Sequence, residues 1–325
     1  YKGQLLNTQD FLAGSTTTGL LVLQNDSIRF EQYYQGNTPS TANISWSMAK
    51  SFISALVGIA VEEGHIQHVL LPIEHYVPEL KGTAYEGVRI KDILQMSSGV
   101  KFDEDYEDFY SDINRWGRGF ALGSSQDDFA ATLERERPAG TYNHYVSINT
   151  HVLGMLVARA TGRTVTKYMQ EKFWNPVGME HGGYWVTDDE GVEVALGGLN
   201  TSLRNFAKIG SVYLNQGQWR GKQIVPAAWV KVSLTPDAPH LMPGDNPNST
   251  RTYGYGYQWW LPQSTQGEFM AQGVYNQNIY VNPTTRTVIV KLSANARYND
   301  PTYLPSRTST ALALYRRVAQ DLALK

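Results

Sequence analysis

Two β-rich runs within Gly19–Tyr34 flank Asn25-Asp26, residues that tolerate a left-handed turn, and together they predict a β-hairpin. After a loop at Gly36–Pro39, the stretch Trp46–Glu63 is apolar on most of its helical faces. That pattern predicts an interior helix, with Gly64 as its stop. Residues from about 65 to 195 carry helical fragments between Gly, Asp and Asn loops. Ile90–Met96 and Ser147–Thr161 read as helices. Phe102–Gly123 is rich in Asp, Tyr and Gly and lacks periodicity, which predicts a long surface loop. Leu203–Asn215 is helical again, and Trp219–Val225 predicts a small hairpin leading into a helix that opens at Pro226. Four strand-like runs follow: Tyr255–Leu261, Glu268–Gly273, Asn278–Asn282 and Thr287–Ser293, the last two joined by a turn at Asn282–Thr285. A final helix is expected over Ser306–Leu324.

Strands at both ends with helices between them predict an α+β fold, an α/β sandwich whose antiparallel sheet is flanked by helices. The expected division is 1–62 and 196–325 for the sandwich, built from both termini, and 63–195 for a mainly helical insertion. Composition narrows the chemistry. The chain has no cysteine, so disulfides, thiolate metal sites and cysteine nucleophiles are excluded. Net charge is −2 with no Lys/Arg stripe, which argues against a nucleic-acid partner. No apolar run approaches the roughly 18 residues of a membrane helix. The sequence opens at Tyr1, which reads as a trimmed N-terminus. The compartment is then periplasmic or secreted if a leader was removed, and cytoplasmic otherwise.

The candidate chemistry begins with Ser-x-x-Lys. With 21 serines and 12 lysines, chance alone supplies about one such tetrad. Two occur, Ser47/Lys50 and Ser98/Lys101. Ser98 is followed by glycine and a polar loop, whereas Ser47 starts a buried helix on which positions i and i+3 share a face. A serine hydroxyl needs a base to take its proton. A desolvated lysine can be that base, and a helix N-terminus suits a developing oxyanion. A capping serine followed by a snorkelling lysine is the competing structural account. No Gly-x-Ser-x-Gly elbow exists to support a Ser-His-Asp triad. His65 and His68 follow the helix-ending Gly64 and have no clear third metal ligand.

A second feature is Pro138-Ala-Gly-Thr-Tyr-Asn-His-Tyr145-Val-Ser147. With Ser47-Met-Ala-Lys50 it resembles the paired motifs of the serine β-lactamase and penicillin-recognising superfamily. The likeness is closest to the class C, esterase and 6-aminohexanoate-dimer (nylon-oligomer) hydrolase branch. It extends through Leu196–Gly210, Gly217–Gly221, Pro226–Trp229 and Phe269–Pro283. It implies Ser47 as nucleophile, Lys50 and Tyr145 as the proton-handling pair, and Ser147 as the third position of the tyrosine motif. It also implies an oxyanion hole made by the N–H groups of Ser47 and Val274. The loop Phe102–Tyr110 is similar to a substrate-facing loop of the nylon-oligomer hydrolases, which implies Tyr106, and after it Tyr110, as site-closing tyrosines. Trp116 is a further candidate for the pocket wall, and His144 neighbours the motif.

One departure is informative. β-Lactamases and penicillin-binding proteins carry Lys-Thr-Gly on the third-motif strand, where this chain has Ala271-Gln272-Gly273. The glycine that admits substrate to the backbone is kept, while the lysine is absent. Gln272 and Gly273 are then the expected substrate contacts. The resemblance implies a serine hydrolase acting through an acyl-enzyme on esters or linear amides, with a small-molecule substrate and neither metal nor organic cofactor. The alternatives are a β-lactamase or D-alanyl-D-alanine carboxypeptidase-like enzyme, and a non-catalytic ligand-binding or sensor protein on the same fold.

Overall fold

The computed structural model describes residues 6–324. Its centre is a seven-stranded antiparallel sheet formed by β1 (Thr17–Gln24), β2 (Ser27–Tyr33), β3 (Gly254–Tyr255), β4 (Trp260–Leu261), β5 (Phe269–Gly273), β6 (Gln277–Asn282) and β7 (Thr287–Ser293). Their spatial order is β2-β1-β7-β6-β5-β4-β3, so the two ends of the chain meet where β1 pairs with β7. The β1–β2 hairpin turns at Asn25 and Asp26, both in the left-handed region at φ 50° and 58°, as the sequence predicts.

Period-two alternation sends side chains of each strand to opposite faces. Val288, Val290, Ile279, Val281 and Leu21 lie in one apolar cluster with the helices of the chain's middle. Ile289, Tyr280, Met270, Leu20 and Val22 lie in the other. That second face is covered by helix α1 (Thr8–Gly14) and by the C-terminal helix, through Phe11, Leu12, Ala311, Leu312 and Tyr315. Helix α2 (Ala49–Glu62) is the spine of the larger cluster, and its residues from Ala49 to Ala60 are all buried. Helix α3 (Asp112–Ala121) packs on the larger cluster through Ile113, Trp116 and Phe120. Helix α4 (Ser147–Thr161) packs on α2 and stops at Gly162, whose φ is +65°. Helix α5 (Leu203–Leu214) lies on the sheet against β1, β6 and β7. The C-terminal helix α6 spans Thr308–Ala323. No helix among the described residues is long and apolar enough to cross a membrane.

Two expectations need correction. Phe102–Gly123 is not one long loop, because α3 occupies Asp112–Ala121. Ser111 caps it by accepting a hydrogen bond from the Asn114 N–H, and Ile113, Trp116 and Phe120 face the core. Gly117 and Gly119 hide the helix from a propensity reading. Tyr255–Leu261 is not one strand either. It is a tight hairpin, β3–β4, with Gln258 in the left-handed region at φ 62° and Trp259 fully buried.

Candidate active site

The Ser47 turn is fixed from three sides. Asn43-Ile44 pairs antiparallel with Leu199–Thr201, and the Ser45 N–H donates to the Leu199 carbonyl at 2.7 Å. Trp46 then takes φ +44°, an unfavourable conformation for a bulky residue, immediately before the nucleophile candidate. Residues Trp46–Met48 form one tight helical turn that runs into α2. Gly197 passes against Trp46: a Cβ there would lie 3.3 Å from the Trp46 carbonyl carbon. Gly273 closes the third side, where a Cβ would sit 2.7 Å from the Ser45 carbonyl oxygen. The contact at Gly273 leaves no room for a side chain, and that at Gly197 leaves little.

Lys50 projects from the first turn of α2 and is 1% exposed. Its Nζ lies 3.1 Å from Ser47 Oγ and donates to the Leu196 carbonyl at 2.6 Å. Burial lowers its pKa to about 7, and the nearby Glu104 carboxylate holds it from falling further. An amine whose pKa is brought near neutrality can serve as a proton acceptor for the hydroxyl beside it, while one of its N–H groups is held by the Leu196 carbonyl.

Tyr145 lies two residues before Ser147, the first residue of α4. Its ring stacks on Trp260 at 5.3 Å between centroids, and the Lys50 Nζ sits 5.4 Å from its centroid. Burial raises the Tyr145 pKa strongly, and the charge of Glu104 adds to the rise. A hydrogen bond with Ser47 and the charge of Arg251 act in the opposite direction. At neutral pH Tyr145 is therefore a phenol.

Ser47, Tyr145, Tyr106, Gln272, Gly273 and Val274 line one cleft of about 510 Å³. Ser147 does not reach it. It is fully buried, and both its N–H and its Oγ donate to Glu104, the former at 3.1 Å. Tyr106 Oη donates to the same carboxylate at 3.1 Å, and its ring packs edge-on to Tyr298. Tyr110 points away from the cleft and is 84% exposed, because a turn centred on Asp108 swings it outward. Trp116 stacks on Phe120 rather than on the cleft wall. His144 is tied to the Phe102 carbonyl at 2.8 Å. Ser98 is buried with Lys101 exposed, so the second tetrad forms no pair.

Glu104, Trp260, Arg251, Tyr298 and Arg307 also line the cleft or touch its tyrosine, and sequence reasoning did not find them. Glu104 sits among Asp103, Asp105, Glu107 and Asp108, and nothing local separates it from them. Only the fold brings it to the N-terminus of α4.

A family model described as Beta-lactamase matches residues 8–313. A 6-aminohexanoate-dimer hydrolase of Paenarthrobacter ureafaciens is 28% identical over 299 residues, spanning 90% of this chain and 76% of its own. Among solved structures, a Bacillus anthracis protein provisionally described as a 6-aminohexanoate-dimer hydrolase superposes with a TM-score of 0.85 at 24% identity, over 99% of this chain and 83% of that one. The hydrolase EstCE1, described as having promiscuous acyltransferase activity, superposes with a TM-score of 0.74 at 13% identity, over 96% of both chains. At these identities the two structural likenesses speak to the fold.

Proposed function

The chain belongs to the β-lactamase family and is a serine hydrolase, and from that premise we propose that it cleaves carboxylic esters or linear amides through an acyl-enzyme on Ser47. The observation that carries this reading is the buried Lys50 amine, its pKa lowered to about 7, lying 3.1 Å from Ser47 Oγ. Lys50 takes the Oγ proton as the Ser47 oxygen bonds to the scissile carbonyl carbon. The carbonyl oxygen becomes an oxyanion, held by the N–H groups of Ser47 and Val274. Tyr145, protonated at neutral pH, passes a proton to the departing amine or alcohol and is reprotonated from the Lys50 ammonium. Water then attacks the ester of Ser47 by the same relay in reverse. Lys50 and Tyr145 act here as one coupled pair.

Linear substrates are favoured over β-lactams because the third-motif strand presents Gln272 and Gly273 to the cleft, with no lysine among the described lining residues. The name of the Paenarthrobacter relative points in the same direction. In this reading residues 63–195 contribute Tyr106 and Tyr145, while 1–62 and 196–325 contribute Ser47 and Val274. A panel of p-nitrophenyl acetate, linear 6-aminohexanoate dimer and nitrocefin, run on wild type beside Ser47→Ala, tests it. Turnover of the first two that vanishes in the variant is expected. Fast nitrocefin turnover with inert esters and amides overturns the substrate assignment.

A further inference from the structure

A second pocket, of about 320 Å³, lies where the C-terminal half of α4 meets the segments 162–165 and 190–193. None of its described lining residues lines the catalytic cleft. His151 of α4 lines it and is 1% exposed. Its Nε2–H donates to the Asp127 carboxylate at 2.9 Å, whereas Nδ1 is buried with no hydrogen-bond partner among the described residues. With the ring proton at Nε2, Nδ1 offers a lone pair, and a buried acceptor calls for a donor.

The charge around the pocket is uneven. Glu193 lines it and is 7% exposed. One of its carboxylate oxygens accepts from the Thr166 N–H at 2.8 Å, at the start of the short helix Val165–Met169. Neither Glu193 nor the exposed Glu190 has a cationic partner among the described residues. The two lining arginines are already neutralised: Arg159 donates to Glu79 and Asp127, and Arg163 pairs with Glu171 at 3.3 Å. Ala158 and Gly162 bring the C-terminal end of α4 to the same pocket, and its dipole adds negative potential. Met155 and Val165, each 3% exposed, give the pocket an apolar wall. A buried carboxylate without a cation, an acceptor without a donor and an apolar wall together select a ligand with positive charge, N–H donors and a short chain.

We propose that this pocket is a binding site for a primary alkylammonium ion, whose N–H groups donate to Glu193 and to His151 Nδ1 while its chain lies on Met155 and Val165. An ammonium group has three donors, enough to meet both. The site is independent of the Ser47 chemistry, because it shares no described lining residue with that cleft.

Isothermal titration of the wild-type protein at neutral pH with n-butylammonium chloride, n-butanol and sodium butyrate compares ligands of one chain length and three charges. The ammonium is expected to bind with one ion per chain and at least about ten-fold more tightly than the alcohol, as a charge-assisted hydrogen bond implies. Butyrate should not bind there, since it brings a like charge to Glu193. Glu193→Gln keeps an acceptor for the Thr166 N–H and should cost about ten-fold in ammonium affinity. Ala158→Phe fills the pocket from α4 without touching its polar groups, and should abolish binding. Thermal melting verifies that each variant is folded. Equal affinity for the ammonium and the alcohol, no measurable ammonium binding, or binding that both substitutions leave unchanged overturns the site.

Discussion

Lys50→Met should make the protein more stable as it removes activity. Burial takes the Lys50 pKa from its ordinary 10.5 to about 7. Charging this amine therefore costs about 5 kcal/mol more in the fold than in the unfolded chain, at about 1.36 kcal/mol per pH unit. The folded pKa is the lower one, so between about pH 7 and 10.5 the unfolded chain binds the extra proton and stability rises with pH. Below that window the whole penalty is present, and above it the penalty vanishes. Methionine removes the penalty but leaves the Leu196 carbonyl without its donor, which costs about 1–3 kcal/mol. The variant should thus exceed wild type by about 2–4 kcal/mol at pH 6. Near pH 9 the wild-type penalty has shrunk to about 2 kcal/mol, and the two proteins should be nearly equal. Urea unfolding followed by tryptophan fluorescence at both pH values measures the difference. Lys291, the other lysine that burial lowers to about 7, is present in both proteins and cancels. A variant less stable than wild type at pH 6, or a difference that does not change with pH, refutes the reasoning.

Other outcomes follow from the same geometry. Because neutral Lys50 is the working form, kcat/KM should rise with pH through about 7 and then level. Glu104→Gln removes the charge that holds this pKa up, so the rise should move to lower pH, and an unmoved profile would detach Glu104 from the base. Tyr145→Phe should lower kcat for linear amides about 10²–10⁴-fold. It should spare the acylation burst with p-nitrophenyl esters, whose leaving group departs unprotonated, and an equal loss of the acylation rate on both substrates would argue against Tyr145 as the donor to the leaving group. Gly273→Ala places a Cβ 2.7 Å from the Ser45 carbonyl oxygen. It should cost about 1–3 kcal/mol of stability and at least about ten-fold in kcat/KM, read by urea melts and ester kinetics.

The β1–β2 hairpin, α2 and α4 were legible because each carries a local signal: left-handed turn residues, an all-round apolar helix, and a glycine stop at Gly162. Helix α3 was not, because Gly117 and Gly119 dilute its pattern and its stability comes from Ile113, Trp116 and Phe120 packing inward. The Tyr255–Leu261 reversal was also hidden, since Gln258 takes a left-handed turn to bury Trp259 within an otherwise strand-like composition. In the cleft, the spacing of Ser47 and Lys50 was readable, and Tyr145 came from resemblance. Glu104, Arg251 and Arg307 arrive from three separate loops, and only tertiary structure brings them to one cleft. Tyr110, beside Tyr106 in sequence, faces solvent because one turn at Asp108 decides its direction.

The central claim is that Ser47 is the acylated residue. Incubation with a fluorophosphonate, followed by proteolysis and mass spectrometry, tests it directly. A single adduct on the peptide containing Ser47, absent from the Ser47→Ala protein, is the predicted result. An adduct on another residue, or equal labelling of the variant, would contradict the account.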